Sequence, residues 1–412
     1  RRHSFPTRRS SDLSCLFFAF GLISFANPWY QKFDFPGDAR HRATGFSIGT
    51  DGYIGLGHIN SVVDVEYEDF WKYDPASNSW SQIANFPDGQ CFHATAFVIN
   101  NKAYVGTGRK VNGSYSKHFY EYDPTTNNWT QIADLPGAAR RGAVSFSVNG
   151  KGYCGTGQTT SGYSTDFYEY NPATNQWIPR ANFPGIARTS AVAFAIGDYG
   201  YLGTGDSNSG STNDFYQFNP ATNQWIPKAM VGPVTRQEAC GFAVNGKGYI
   251  GTGDDFSSGN NYPDFWEYNP ATETWTQIED FAGTARRYLV GFAIGNRAYV
   301  GTGTNGTNMK DFWMFDRNLS IIENKLEEIE FSIFPNPCSD YCVFDFKNAL
   351  DSEEINKMTI KLVSLDGKEL INQPLLSNYC KLKTDHLKNG IYVYLLEFDH
   401  LTIKSGQLII AN

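Results

Sequence analysis

A unit of roughly fifty residues recurs along the chain, and that recurrence limits what the chain can fold into more than any other feature. Its clearest copy runs from Gly241 to Gly253, crosses a polar loop, and resumes from Asp264 to Ile278. Phe242 to Val244 and Tyr249 to Ile250 flank Asn245-Gly246, the strongest signal for a two-residue hairpin. Phe265, Trp266 and Tyr268 form a third apolar run, ended by Asn269-Pro270 where Pro presets a turn. Trp275 and Ile278 mark a fourth. One unit therefore reads as a four-stranded antiparallel meander. Gly251 and Gly253 frame Thr252, which predicts close approach by a backbone or a ring.

Register across the copies sets the architecture. The second-strand Tyr recurs at Tyr53, Tyr104, Tyr153, Tyr201, Tyr249 and Tyr299. The fourth-strand Trp recurs at Trp29, Trp80, Trp129, Trp177, Trp225 and Trp275, so Trp29 precedes any complete unit. The last unit stops at Phe315-Asp316 without a Trp. The segment around Trp29 is thus expected to complete the sixth unit and close a ring, since one meander alone cannot bury both faces.

Tyr-x-x-x-Gly followed by Tyr-Asp/Asn-Pro-x-Thr-x-x-Trp resembles the kelch repeat, over Asn27 to Asp316. The resemblance implies an all-β fold, a six-bladed propeller related to galactose oxidase-like proteins. Kelch units usually carry a Gly pair where this chain has Thr-Gly.

Around this core the chain divides. Arg1 to Leu13 resembles the translation of a sequencing adapter and is set aside; residues 14–26 read as the remnant of a signal peptide, with Ser24-Phe-Ala26 fitting the cleavage site. Residues 317–330 read as a charged linker. From Phe331, alternating runs with turns at Leu365-Asp-Gly367 and Lys388-Asn-Gly390 suggest a small Ig-like β-sandwich. Pro335-Asn-Pro337, Leu387-Lys-Asn-Gly-Ile-Tyr392 and Lys404-Ser-Gly-Gln-Leu-Ile-Ile410 make residues 331–412 resemble the C-terminal sorting domain of type IX secretion substrates in Bacteroidetes. That resemblance implies the type IX machinery as a partner and an address outside the cell. No apolar run reaches the length of a membrane span. A formal charge of −8 argues against nucleic acid. Of Cys338, Cys342 and Cys380 in the tail, one pair could bridge in an oxidising compartment.

Loops between second and third strands share a face with the blade-to-blade connections, and these loops are long and varied, as binding surfaces are. Six residues before each first-strand Phe stand Arg40, Cys91, Arg140, Arg188, Arg236 and Arg286. The arginines could tie loop carbonyls together or clamp a carboxylate. Two residues further on stand Arg42, His93, Gly142, Ser190, Glu238 and Tyr288, which differ between blades as a recognition surface would. The expected binding set is Arg40, Arg42, His93, Arg140, Arg188, Arg236, Glu238, Arg286 and Tyr288. His41, His58, His93 and His118 are weak metal candidates, lacking the short spacing of a metal motif. No cofactor is expected; copper or calcium has no supporting motif, Asp254-Asp255 included. The leading expectation is a module that binds a glycan or a protein. One alternative is an enzyme like galactose oxidase or the sialic-acid mutarotases, with Glu238 as base and Arg236 or Arg286 as clamp. Another is a structural surface protein.

Overall fold

The computed structural model describes residues 27–60, 65–255, 258–317, 331–347, 352–398 and 401–411. The adapter-like segment, the signal remnant and all of the linker but Arg317 lie outside the described residues.

Six four-stranded antiparallel sheets follow one another. Their first strands are Thr44–Ile48, Thr95–Ile99, Val144–Val148, Val192–Ile196, Cys240–Val244 and Val290–Ile294, defining blades 1 to 6. These strands line the central channel. Blade 6 is completed by Trp29–Lys32, which pairs antiparallel with Phe312–Phe315 in the register Trp29↔Phe315 to Lys32↔Phe312. The first apolar segment thereby closes the ring. Trp29 is buried between Phe265 and Phe315, each with its ring 4.9 Å away, and Phe281 at 5.1 Å.

The repeated residues account for blade-on-blade packing. The first-strand Phe of one blade lies where the next blade's second strand has only a backbone. A Cβ added at Gly200 would sit 2.0 Å from the Phe146 ring, and one at Gly152 would sit 2.1 Å from Phe97. Fourth-strand tryptophans link blades by donating Nε1–H to a carbonyl of the preceding blade: Trp129 to Ala84 at 3.0 Å, Trp177 to Ala133 at 2.9 Å, Trp225 to Ala181 at 3.0 Å. An Asn two residues earlier adds a second link: Oδ1 of Asn127, Asn175 and Asn223 accepts from the amides of Ala84, Ala133 and Ala181. The boundaries from blade 1 to blade 4 are thus apolar inside and hydrogen-bonded at their rims, whereas Trp29 Nε1, at the closing boundary, is buried without a partner.

The expected hairpins form, with Asn245 and Gly246 at φ 52° and 71°. The Thr of each Thr-Gly also adopts the left-handed region, φ 58–63° from Thr107 to Thr302, which is costly for a β-branched residue. A Cβ on Gly253 would lie 2.4 Å from the Gln237 carbonyl, so the second glycine is the one the packing requires.

The tail forms two sheets. One holds Phe331–Phe334, Tyr341–Phe346 and Tyr379–Lys383; the other holds Met358–Val363, Glu369–Pro374, Gly390–Phe398 and Leu401–Ile410. Tyr379–Lys383 alternates exposed and buried, with Cys380 and Leu382 inward, whereas Glu369–Pro374 has no fully buried position. Cys338, Cys342 and Cys380 are all buried and unbridged.

Candidate functional site

The five ring arginines are interior residues. Arg40, Arg140, Arg188, Arg236 and Arg286 are 0–1% exposed. Each forks onto the Asp that opens the third strand: Asp69, Asp166, Asp214, Asp264 or Asp311. Nη1 of each also donates to the carbonyl of residue 56, 156, 204, 252 or 302, at 2.9–3.2 Å. Such planar, two-pronged pairing satisfies a buried guanidinium. Blade 2 changes both partners together. Cys91 replaces the arginine, His118 replaces the aspartate, and Asp88 pairs instead with Lys110 and with His118 Nδ1 at 3.0 Å. Of the two roles open for these arginines, loop tying is the one the geometry realises. Their guanidinia are closed off from any ligand at the mouth, and this removes Arg236 and Arg286 as carboxylate clamps for Glu238.

The next register is different. Arg42, His93, Gly142, Ser190, Glu238 and Tyr288 surround the mouth of the channel, over a cavity of about 130 Å³ floored by Ala43, Ala94, Ala143, Ala191, Ala239 and Leu289. All six mouth residues are left-handed, with φ between 54° and 59°. Their backbones are joined head to tail. His93 N–H donates to Arg42 O, Gly142 to His93, Ser190 to Gly142, Glu238 to Ser190 and Tyr288 to Glu238, at 2.8–3.1 Å. The same left-handed torsion recurs at the Thr of each Thr-Gly, so it belongs to the repeat in every blade.

Charge gathers on one side of this ring. Arg42 Nη1 donates to Nε2 of His41 at 3.2 Å and of His58 at 2.9 Å, while Nη2 reaches the Tyr288 hydroxyl. His41 in turn bonds Asn308 Oδ1 through Nδ1 at 2.8 Å, which makes its Nδ1 the protonated nitrogen. The guanidinium carbon stands 3.9 Å above the Tyr288 ring. Burial lowers the Arg42 pKa to about 10, so it stays a cation at neutral pH; its Nε is buried without a partner. Burial also pushes His58 and His93 far below the usual range, with help from neighbouring cations including Arg42 and Arg141. Glu238 lies 4.0 Å from Arg42 and 3.2 Å from Arg287 Nε. Burial raises its pKa to about 8 despite both cations. Arg287, unremarked in the sequence, also pairs with Asp254 at 2.8 Å. It sits directly before the ring residue Tyr288 in the chain, and that position is the signal that could have found it.

His41 and His58 therefore accept from a guanidinium, His93 lies edge-on to Tyr288 at the mouth, and His118 is elsewhere, on Asp88. Among the described residues no group of three or more His, Cys, Asp or Glu is disposed to hold a metal ion.

A closed six-bladed propeller with a polar mouth, followed by a two-sheet tail, defines a class of propeller proteins that carry an appended β-domain. The family model for the KLHDC2/KLHL20/DRC7 kelch-repeats domain matches residues 41–230 and 136–303, and the chain belongs to the kelch-repeat family. The model for the secretion system C-terminal sorting domain matches residues 332–411, which indicates export by type IX secretion to the cell surface or beyond. Among curated proteins, N-acetylneuraminate epimerase of Escherichia coli O157:H7 is 37% identical over 87 residues, which is 20% of this chain. The same-named protein of Shigella flexneri is 36% identical over 87 residues. The match spans only 23% of the length of these relatives. A solved structure described as that of YjhT superposes with TM-score 0.57 at 19% identity, covering 69% of this chain and 95% of that one. That likeness concerns the fold.

Proposed function

We propose that this exported propeller binds a small acidic sugar at the mouth ringed by Arg42, His93, Gly142, Ser190, Glu238 and Tyr288. One observation carries the reading: a cationic Arg42 presents a buried, unpartnered Nε beside a Tyr face, in a protein whose overall charge is −8. A carboxylate in the mouth would meet the exposed part of that guanidinium and gain a charge-assisted hydrogen bond. Tyr288 offers its ring edge and hydroxyl, and Glu238, protonated at neutral pH, would donate to the ligand rather than repel it. His41 and His58 accept from its Nη1 and hold the cation in place.

A second reading, a mutarotase-like enzyme, is favoured by the pKa of about 8 on Glu238. A carboxyl group that titrates near neutrality suits proton transfer to and from a sugar ring oxygen. The local similarity to N-acetylneuraminate epimerase points the same way.

Titration calorimetry with N-acetylneuraminate and galacturonate tests the first reading, and exchange NMR between the anomers tests the second. Binding lost in Arg42→Ala is the expected result. Equal binding by the variant ends the assignment. Accelerated anomer exchange that disappears in Glu238→Gln, with binding retained, would promote the enzyme.

A further inference from the structure

Sixfold repetition gives the loop face its own internal control. One residue outward from the mouth, each blade forms a short row from the connecting segment across the loop. In blade 2 the row is Phe92, Arg109 and Tyr115; in blade 3 it is Arg141, Gln158 and Tyr163. The same row is Thr189, Asp206 and Ser211 in blade 4, and Gln237, Asp254 and Asn261 in blade 5. The fold is satisfied by short polar side chains at these positions. It does not require an arginine and aromatic rings, yet two adjacent blades carry both.

These two rows are also joined and ordered. The Arg141 guanidinium stands 5.7 Å from the Tyr115 ring, and Arg109 stands 5.6 Å from Phe92. Gln158 Oε1 accepts from Arg141 Nε at 2.9 Å. The Tyr163 hydroxyl donates to Asp206 at 2.5 Å, which fixes its ring. Phe92 and Arg141 directly precede the mouth residues His93 and Gly142, and Phe92 stacks on His58, which holds Arg42. The strip therefore runs without a break from the mouth across blades 2 and 3.

Resting on the acidic-sugar reading of the mouth, we propose that the ligand is an acidic oligosaccharide rather than a single sugar. Its terminal carboxylate meets Arg42. The following sugars lie over blades 2 and 3, with Arg109 and Arg141 receiving further carboxylates and Tyr115 and Tyr163 covering sugar faces. Rings held in place lose little freedom on binding, which suits a weakly hydrated sugar face.

The test uses residues 27–412 and calorimetry with N-acetylneuraminate, its α2,8-linked dimer and its trimer. The native protein is expected to bind the trimer roughly tenfold or more tightly than the monomer, the gain of one further charge-assisted hydrogen bond. Arg141→Ala/Tyr115→Ala should bring the trimer to the monomer's affinity and leave the monomer unchanged, with an unaltered melting curve. Arg42→Ala should weaken all three. Equal affinity for the three sugars, or length dependence surviving in the double variant, overturns the extension while the mouth reading stands. Binding of none of them fails the mouth reading itself. An acidic peptide such as oligoglutamate that binds more tightly than the trimer, and is lost in the double variant, overturns the sugar class.

Discussion

Replacing Asp166 by Ala would leave Arg140 enclosed without its counter-charge. Arg140 is 0% exposed, and Asp166 receives both prongs of its guanidinium. The Arg140 donors to Ala138 O at 3.0 Å and Thr156 O at 2.9 Å would remain, but carbonyls do not neutralise a cation. Ser164 and Tyr168, at 2.6 and 3.1 Å from the Asp166 carboxylate, would lose their acceptor too. Removing one partner of a buried pair costs about 3–5 kcal/mol. With an unfolding entropy of about 2 cal/mol/K per residue over roughly 290 propeller residues, that loss lowers the melting temperature by about 5–8 °C. Burial alone would raise the Asp166 pKa, but hydrogen bonds and charge from Arg140 more than offset it and hold the group below its usual value. A carboxylate with a depressed folded pKa stabilises above its unfolded pKa, and that contribution fades as pH falls through the folded value. The gap between native and Asp166→Ala melting curves should therefore be full at pH 6 and narrow below pH 4. Arg140→Met/Asp166→Leu, which removes both charges, should recover much of the loss. Calorimetric melting of the three proteins decides the matter. An Asp166→Ala penalty under about 1 kcal/mol, or a double variant as weak as the single, would refute the reasoning.

Other perturbations read different parts of the molecule. Trp29→Ala empties a site among three aromatic rings and should cost about 3–5 kcal/mol, seen as a lower melting temperature and faster proteolysis of the ring closure; a native-like melt would mean the closing strand contributes little. Gly200→Ala puts a methyl against the Phe146 ring and should cost about 1–3 kcal/mol in denaturant titration. Glu238, whose folded pKa of about 8 lies above its ordinary 4.5, keeps a proton that the unfolded chain releases, so native stability should fall as pH rises between those values, by up to about 1.4 kcal/mol per unit. Glu238→Gln should flatten that slope, and parallel pH profiles for the two proteins would contradict the raised pKa.

Ring closure was legible because a Trp with no unit before it and a unit with no Trp after it have one simple resolution, and the observed pairing of Trp29 with Phe315 is that resolution. The tail's address was legible from ordered short motifs. The fate of the arginines was open in the sequence because a residue beside a channel mouth and a residue behind it occupy the same position in the repeat. Only coordinates tell which way Arg140 turns. The joint change of Cys91 and His118 in blade 2 held the clue, since the two departures from pattern are exchanged partners. Arg42, His93, Glu238 and Tyr288 were singled out by their variation alone, and the structure gathers all four around one cavity. Arg287 is marked in the sequence only by its place directly before Tyr288, and its pairing with Glu238 and Asp254 is visible only once blades 5 and 6 are side by side.

The left-handed hoop at the mouth separates architecture from vocabulary. Its hydrogen bonds run from main chain to main chain, so no letter at positions 42, 93, 142, 190, 238 or 288 is needed to hold it. Every sector already tolerates an awkward torsion, whichever side chain it bears. The side chains at those slots can therefore change one sector at a time and keep the wheel beneath them intact.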